Sequence, residues 1–249
     1  MFLDPTYLIF MIPAFILMGI TSWYVRHSYK KWSQVRASSG LTGAQAAQQL
    51  TSRAIYSGID GSADLRNVRI LGIGGNLTDH YDPRDKTLYL SPGVANTPSV
   101  AAVAIAAHEL GHAMQDAEGY GPLRLRSALV PMVSIGSNLG WILIMAGLFL
   151  GWLNLAWLGV LFFAGGAVFA LATLPVEFNA SARAKAMLTT SGIIRTEEET
   201  RGVNAVLNAA ALRALFVKLC DYPEIRPALD NGLKAVIDHT RASSALPTA

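Results

Sequence analysis

Three long apolar runs separate two polar parts of the chain. Residues 7–25, 128–150 and 155–174 contain no charged side chain, and each is close to the ~20 residues that a helix needs to cross a bilayer. The last two runs are joined by residues 151–154 only, a length that suits a helical hairpin across the membrane. The pattern predicts a mainly α membrane protein with three transmembrane helices, flanking non-membrane parts at residues 26–127 and 175–249.

The first polar part, residues 26–127, shows shorter patterns. Residues 42–57 are amphipathic, with Thr42 and Gln45 spaced as a capping box and Gly58 as a stop signal. Residues 68–71 predict a short strand. Residues 77–81 and 86–90 alternate around a turn at 82–85, which predicts a β-hairpin.

Further helices are predicted on both sides of the second and third runs. Helix formers fill residues 99–114, with Pro98 expected at the first helical position. After the third run, Pro175 is expected to begin a new helix. Thr196 and Glu199 fit a capping box ahead of a helix over 197–219, and a last amphipathic helix is predicted over 224–241.

Composition agrees with a membrane protein and narrows the function. The chain is 52% hydrophobic and only 15% charged, which is too apolar for an ordinary soluble domain. A single cysteine, Cys220, excludes an internal disulfide. The net charge of +3 comes from scattered basic residues without a nucleic-acid-binding motif, so nucleic acid is not expected as a partner.

The distribution of basic residues predicts the orientation in the bilayer. All 20 Lys and Arg residues lie in the two flanking parts, eleven in residues 26–127 and nine in residues 175–249. Because loops rich in Lys and Arg stay in the cytoplasm, both parts are expected there. Residues 26–127 and 175–249 can therefore meet on one side of the lipid bilayer.

The sequence His108-Glu109-Leu110-Gly111-His112 is the main candidate for chemistry. On a helix, His108 and His112 project from one face and can bind one zinc ion, with Glu109 beside it. The pattern alone also occurs by chance on a solvated helix face. A zinc hydrolase needs a third protein ligand and an open position for water.

Glu177 is the best candidate for that third ligand, because it follows the third apolar run on the cytoplasmic side. A carboxylate at this place also complements the dipole of a helix N-terminus, and both roles are compatible. Metzincins are excluded because Gln115 and Glu118 stand where that class has glycine and histidine.

Four other residues are candidates around a metal. Ser181 lies one helical turn after Glu177 and is expected to hydrogen-bond a ligand. Arg183, His80 and Tyr81 are unranked candidates for a second donor to the oxyanion of a reaction intermediate. His80 is equally well interpreted as an ordinary edge-strand histidine.

Several motifs resemble the YugP-like neutral zinc metallopeptidases of bacterial membranes, themselves distantly similar to HtpX-type gluzincins. The motifs are Leu77-Thr-Asp-His-Tyr-Asp-Pro-Arg84, Leu90-Ser-Pro92, Ala106-Ala-His-Glu-Leu-Gly-His-Ala113, Thr173-Leu-Pro-Val-Glu-Phe-Asn-Ala-Ser181 and Val206-Leu-Asn-Ala-Ala-Ala-Leu212. The resemblance implies a multi-pass protein of the bacterial cell membrane with a zincin-like α+β catalytic unit. It implies zinc on His108, His112 and Glu177, and Glu109 as general base.

The expected function is a zinc-dependent endopeptidase acting on peptides or membrane proteins from the cytoplasmic side. The alternative is a non-catalytic membrane scaffold or interaction protein that a zinc site stabilises. A protease with its motif inside the bilayer is disfavoured, because the apolar run 100–107 is too short to span. The oligomeric state is left open.

Overall fold

A computed structural model describes residues 5–56 and 62–220. These residues form a mainly helical fold with one small sheet, as the sequence predicts. In chain order the elements are α1 (Pro5–Ser33), α2 (Gly43–Tyr56), a 3-10 helix (Ser62–Asn67), β1 (Arg69–Gly72), β2 (His80–Asp82), β3 (Thr87–Leu90), α3 (Pro92–Ala95), α4 (Val100–Ala117), α5 (Gly121–Phe149), α6 (Leu153–Thr190) and α7 (Glu197–Cys220). The expected stop at Gly58 and the helix over 224–241 lie outside the described residues.

One helix of the described part, α5, is long and apolar enough to cross a membrane. The runs predicted as the other two spans, residues 7–25 and 155–174, fall inside α1 and α6. The apolar stretch that qualifies in α6 is shorter, Leu153–Phe162. The three-span arrangement therefore stays a prediction.

The sheet has the strand order β1-β3-β2. The predicted hairpin is confirmed, because β2 and β3 pair antiparallel, with Tyr81 opposite Leu88. The predicted short strand joins as β1, which runs parallel to β3. Leu88 and Leu90 of the central strand are fully buried, so β3 anchors the sheet and β2 forms its edge.

Helix α4 is the centre of the core. Its first half consists of small and branched residues that are buried except for the half-buried Ile105. The expectation that Pro98 occupies the first helical position is wrong, because Ser99 is the N-cap and its hydroxyl accepts a hydrogen bond from the Ala102 N–H at 3.2 Å. Pro98 lies in the preceding segment, where its carbonyl accepts from the Ala37 N–H at 3.1 Å.

The prediction of a new helix beginning at Pro175 is also wrong. Helix α6 runs from Leu153 to Thr190 without a break and contains this proline. Proline removes one N–H and disfavours the helix locally, but strong helix formers continue on both sides and the buried face beyond it is packed. Val176, Ala180 and Ala184 are fully buried there, so tertiary packing outweighs the local signal.

The two predicted capping boxes are confirmed. Thr42 and Gln45 exchange side-chain and backbone hydrogen bonds at the start of α2. Glu199 accepts hydrogen bonds from Thr196, while its own N–H donates to the Thr196 hydroxyl. Glu199 also accepts from the backbone N–H of Ser38 at 2.7 Å, and so ties the start of α7 to the segment after α1.

Glu199→Gln is expected to destabilise the protein by ~2 kcal/mol at neutral pH, because a buried charged acceptor is lost. Burial by itself would raise the pKa of Glu199, but the N–H groups of Ser38, Arg195 and Thr196 outweigh it and lower the pKa from 4.5 to about 2. The stabilisation is therefore complete above pH 4.5 and is lost as the pH falls towards 2.

The measurement is the melting temperature in detergent and EDTA from pH 7 to pH 2.5, with the exposed Glu198→Gln as the matched control. The difference between wild type and Glu199→Gln should narrow below pH 4.5. A difference that stays constant over the whole range would contradict this account.

Candidate metal centre

Two helices bring the three predicted metal ligands to one point. The Nε2 atoms of His108 and His112 lie 3.4 and 3.5 Å from Oε2 of Glu177. One ligand atom from each of the three residues falls within 4.8 Å of the others. His108 and Glu177 are each 4% exposed, so these two ligand side chains are almost fully buried.

A glycine allows the two helices to approach this closely. A Cβ atom on Gly111 of α4 would lie only 2.6 Å from the carbonyl oxygen of Ala180 in α6. Any larger residue at 111 would therefore push the helices apart. Since Gly111 lies between the two histidines in the sequence, this contact sets the distance from both of them to Glu177.

The outer nitrogen of each histidine has its own partner. Nδ1 of His108 lies 3.2 Å from the hydroxyl of Ser181, the residue expected to bond a ligand. Nδ1 of His112 lies 3.0 Å from Oε1 of Gln115. Gln115 is fully buried, and its Nε2 donates to the Val176 carbonyl at 2.8 Å and to Asn179 Oδ1 at 2.9 Å.

The two oxygens of Glu177 face different partners. Oε2 faces the histidines, and Oε1 lies 3.4 Å from Nη1 of Arg126, at the beginning of α5. Burial would raise the pKa of Glu177, but the hydrogen bonds and charges of His108 and His112 prevail and lower that pKa far below its usual range. Glu177 is therefore an anion in the absence of metal.

Glu109 lies beside this cluster and is half-buried. Its Oε2 accepts a hydrogen bond of 3.1 Å from the backbone N–H of Tyr81 in the edge strand β2. Burial raises the pKa of Glu109; the His108 charge opposes the rise, and the charges of Glu177 and Asp79 add to it. The carboxyl group thus holds a proton more readily than an ordinary glutamate.

The other sequence candidates are placed differently. The hydroxyl of Tyr81 donates to Asp116 at 2.8 Å. His80 is exposed, its Nδ1 donates to the Thr78 carbonyl at 2.8 Å, and its ring stacks on Tyr89. His80 and Tyr81 still line the cleft that contains the cluster.

Arg183 forms its contacts outside the cleft. Its guanidinium donates to Asn179 Oδ1 at 2.7 Å and to Glu118 Oε1 at 2.6 Å, and it lies over the Tyr120 ring. It is absent from the lining of the cleft. Arg183 is therefore placed as a structural link between α4 and α6.

Sequence reasoning missed Arg126 and Gln115. Gln115 follows His112 by three positions on α4, a spacing that puts both on one helix face, so this contact had a local signal. From the sequence, Arg126 is only one of the eleven basic residues of the part 26–127 that predict the orientation in the bilayer. Its contact with Glu177 joins residues 51 positions apart, and no local pattern reveals that.

The cluster opens into a cleft of about 340 Å³ lined by residues of α1, α4, α5, α6, α7 and the sheet edge. The donor set fits zinc. Two imidazole nitrogens and one carboxylate oxygen are a common protein ligand set of catalytic zinc sites, in which the fourth position is left for water or substrate. Both histidines also have the outer hydrogen-bond partner typical of metal-bound imidazoles.

Comparisons with known proteins agree with this chemistry and support zinc as the cofactor. The family model described as "Putative neutral zinc metallopeptidase" matches residues 7–219. The "Putative membrane protease YugP" of Bacillus subtilis (strain 168) is 41% identical over 221 residues, which cover 88% of this chain and 94% of the relative. No solved structure matches the chain. The chain therefore belongs to this family of neutral zinc metallopeptidases.

Proposed function

We propose that this protein is a membrane-anchored zinc endopeptidase with its active site on the cytoplasmic side of a bacterial cell membrane. The observation that carries the proposal is the convergence of His108, His112 and Glu177 in one cleft, with Glu109 beside them. Family membership supports peptide-bond hydrolysis. The relative named as a membrane protease supports the anchoring.

Glu109 is the general base of the proposed reaction. Bound zinc supplies Lewis acidity, which activates a water molecule and polarises a peptide carbonyl. Glu109 takes the proton of the attacking water and delivers it to the departing amine. The hydrogen bond from the Tyr81 N–H restricts the rotation of the Glu109 carboxylate, so the base is held in place before substrate arrives.

Gln115 fixes the tautomer of His112. Both bonds from its Nε2 go to acceptors, Val176 O and Asn179 Oδ1, so its Oε1 must face the imidazole. Oε1 can only accept a hydrogen bond, and Nδ1 of His112 therefore carries the proton. In the neutral imidazole the lone pair is then on Nε2, the atom that faces Glu177 and is available to a metal; without a metal, a proton on Nε2 can bond the Glu177 carboxylate.

The proposed three-span topology is supported by exposed apolar side chains on all three helices. Large examples that are more than half exposed include Ile20 of α1, Met132 and Ile142 of α5, and Trp157 and Leu161 of α6. Water would be an unfavourable surrounding for so many contiguous apolar side chains, whereas lipid suits them. The confinement of all Lys and Arg to residues 26–127 and 175–249 supports a cytoplasmic site.

Glu109→Gln is expected to keep one zinc ion per chain and to lose proteolysis by about 10²–10⁴-fold, because the amide cannot accept the proton. The test is casein digestion with metal analysis of the same sample. Glu198→Gln, the same change on an exposed carboxylate, should cleave like wild type. Normal cleavage by Glu109→Gln would refute the mechanism, and zinc binding without phenanthroline-sensitive cleavage by wild type would favour the scaffold.

Gln115→Ala and Ser181→Ala are each expected to weaken zinc binding by about 10–100-fold, because the imidazoles lose the partners that orient them. Competition with a fluorescent zinc chelator measures this directly. Ser52→Ala is the control, since the Ser52 hydroxyl bonds only the carbonyl of Gln48 on its own exposed helix face. Zinc affinities equal to that of Ser52→Ala would show that neither contact orients a ligand.

The topology is tested by cysteine labelling in a Cys220→Ser background. A membrane-impermeant maleimide applied to intact spheroplasts should label Asn154→Cys, at the beginning of α6 beside its connection to α5, and should spare Ser52→Cys on α2. Labelling of position 52 alone would reverse the orientation. Labelling of both positions would mean that they share one side of the membrane.

A further inference from the structure

The segment Val206–Leu212 of α7 contributes neither a metal ligand nor the base, although it is one of the motifs that carry the family resemblance. Four of its residues nevertheless line the cleft that contains the three metal ligands: Val206, Leu207, Ala209 and Ala210. This alanine-rich segment is therefore a wall of the site, and its chemistry bears on what the cleft binds.

The wall is rigid. Val206, Leu207 and Ala209 are 4%, 3% and 3% exposed, so they are packed and cannot swing out of the cleft. One turn earlier, Gly202 lies directly against the Trp32 ring of α1, where a Cβ atom would overlap the ring. The same helix is held at its beginning by the bonds between Glu199 and Ser38.

The wall is apolar and reaches the reacting groups. Val25 of α1 and Ile105 of α4 extend it, and neither they nor the α7 residues can ionise. Ile105 precedes His108 by three positions and Glu109 by four, so it shares a helix face with both. Asp79 and His80, the polar residues at the sheet edge, also border the cleft. A peptide held at the metal thus has apolar surface within one helical turn of the bond to be cleaved.

Ala210 leaves space in this wall. It presents only a methyl group and is half-buried at the cleft surface, whereas its neighbour Ala209 is buried. We infer that the alanine-rich segment forms an apolar subsite that accepts a large aliphatic or aromatic side chain next to the scissile bond. Ala210 limits the size of that side chain. This inference rests on the proposed peptidase function and adds the class of residue that the substrate presents.

Peptide hydroxamates test the subsite by binding, independently of catalysis. Two series are needed, with a methyl, isobutyl or benzyl side chain on either the N-terminal or the C-terminal side of the zinc-chelating group. Calorimetry with the zinc-loaded protein in detergent gives their affinities. In one series, affinity should rise at least ten-fold from methyl to isobutyl, as expected for burial of several carbon atoms in an apolar pocket.

Ala210→Leu should fill the subsite and reduce that gain to less than two-fold. Asn208→Leu is the matched control, because it places the same side chain on the exposed face of the same helical turn and should keep the gain. Zinc content and melting temperature verify that each variant is folded. Ala210→Val enlarges the side chain less and should reduce the affinity gain by an intermediate amount. It replaces Ala210→Leu in the test if that variant does not fold.

Equal affinities for the three side chains in both series would overturn the subsite, as would identical behaviour of the position 210 and position 208 variants. These results would leave the peptidase function intact. Failure of zinc-loaded wild type to cleave any peptide would refute the proposed function, while the hydroxamate series would still decide whether the pocket prefers apolar groups. A protein that bound neither zinc nor hydroxamate would refute both.

Discussion

The contact of α4 with α6 at Gly111 and Ala180 is the constraint on which the site depends. No side chain separates the backbones of the two helices there. The side chains of His108, His112 and Glu177 are therefore long enough to meet. A glycine inside a helix costs about 0.5–1 kcal/mol relative to alanine. Most residues of α4 are buried, and this packing offsets that cost and fixes the position of the helix relative to α6.

Polar groups at the same interface form ion pairs and hydrogen bonds with one another. The buried carboxylate of Glu177 would be costly alone, but it faces two imidazoles on one side and Arg126 on the other. Gln115 satisfies both of its amide donors and its acceptor between the helices. Because Arg126 lies in the second turn of α5, its contact with Glu177 links the proposed membrane hairpin to the cluster of metal ligands.

Features with a local signal could be predicted from the sequence. The spacing of His108 and His112 implies one helix face, and the capping boxes at Thr42 and Thr196 depend on residues three positions apart. Glu177 could be found because the count of apolar runs put it on the same side of the membrane as the histidines. Each of these inferences needs only neighbouring residues or a tally of spans.

Features that depend on long-range packing could not be predicted. Pro175 looks like a helix start, yet α6 continues past it because the helix packs against α4. Arg183 looks like a free cation near the site, but Glu118, the residue that caps the end of α4, binds it. Arg126 and the α7 wall enter the site from distant parts of the chain. Only the assembled helices show that one cleft contains both the three metal ligands and an apolar surface.

The central claim is that α4 and α6 share one zinc ion through two histidines and a glutamate. X-ray absorption at the zinc edge of the purified protein tests it most directly. The account predicts two imidazole nitrogens, oxygen ligands and no sulfur, with zinc–nitrogen distances of about 2.0–2.1 Å and a changed oxygen shell in Glu177→Ala. A sulfur ligand, or a spectrum that Glu177→Ala leaves unchanged, would contradict it.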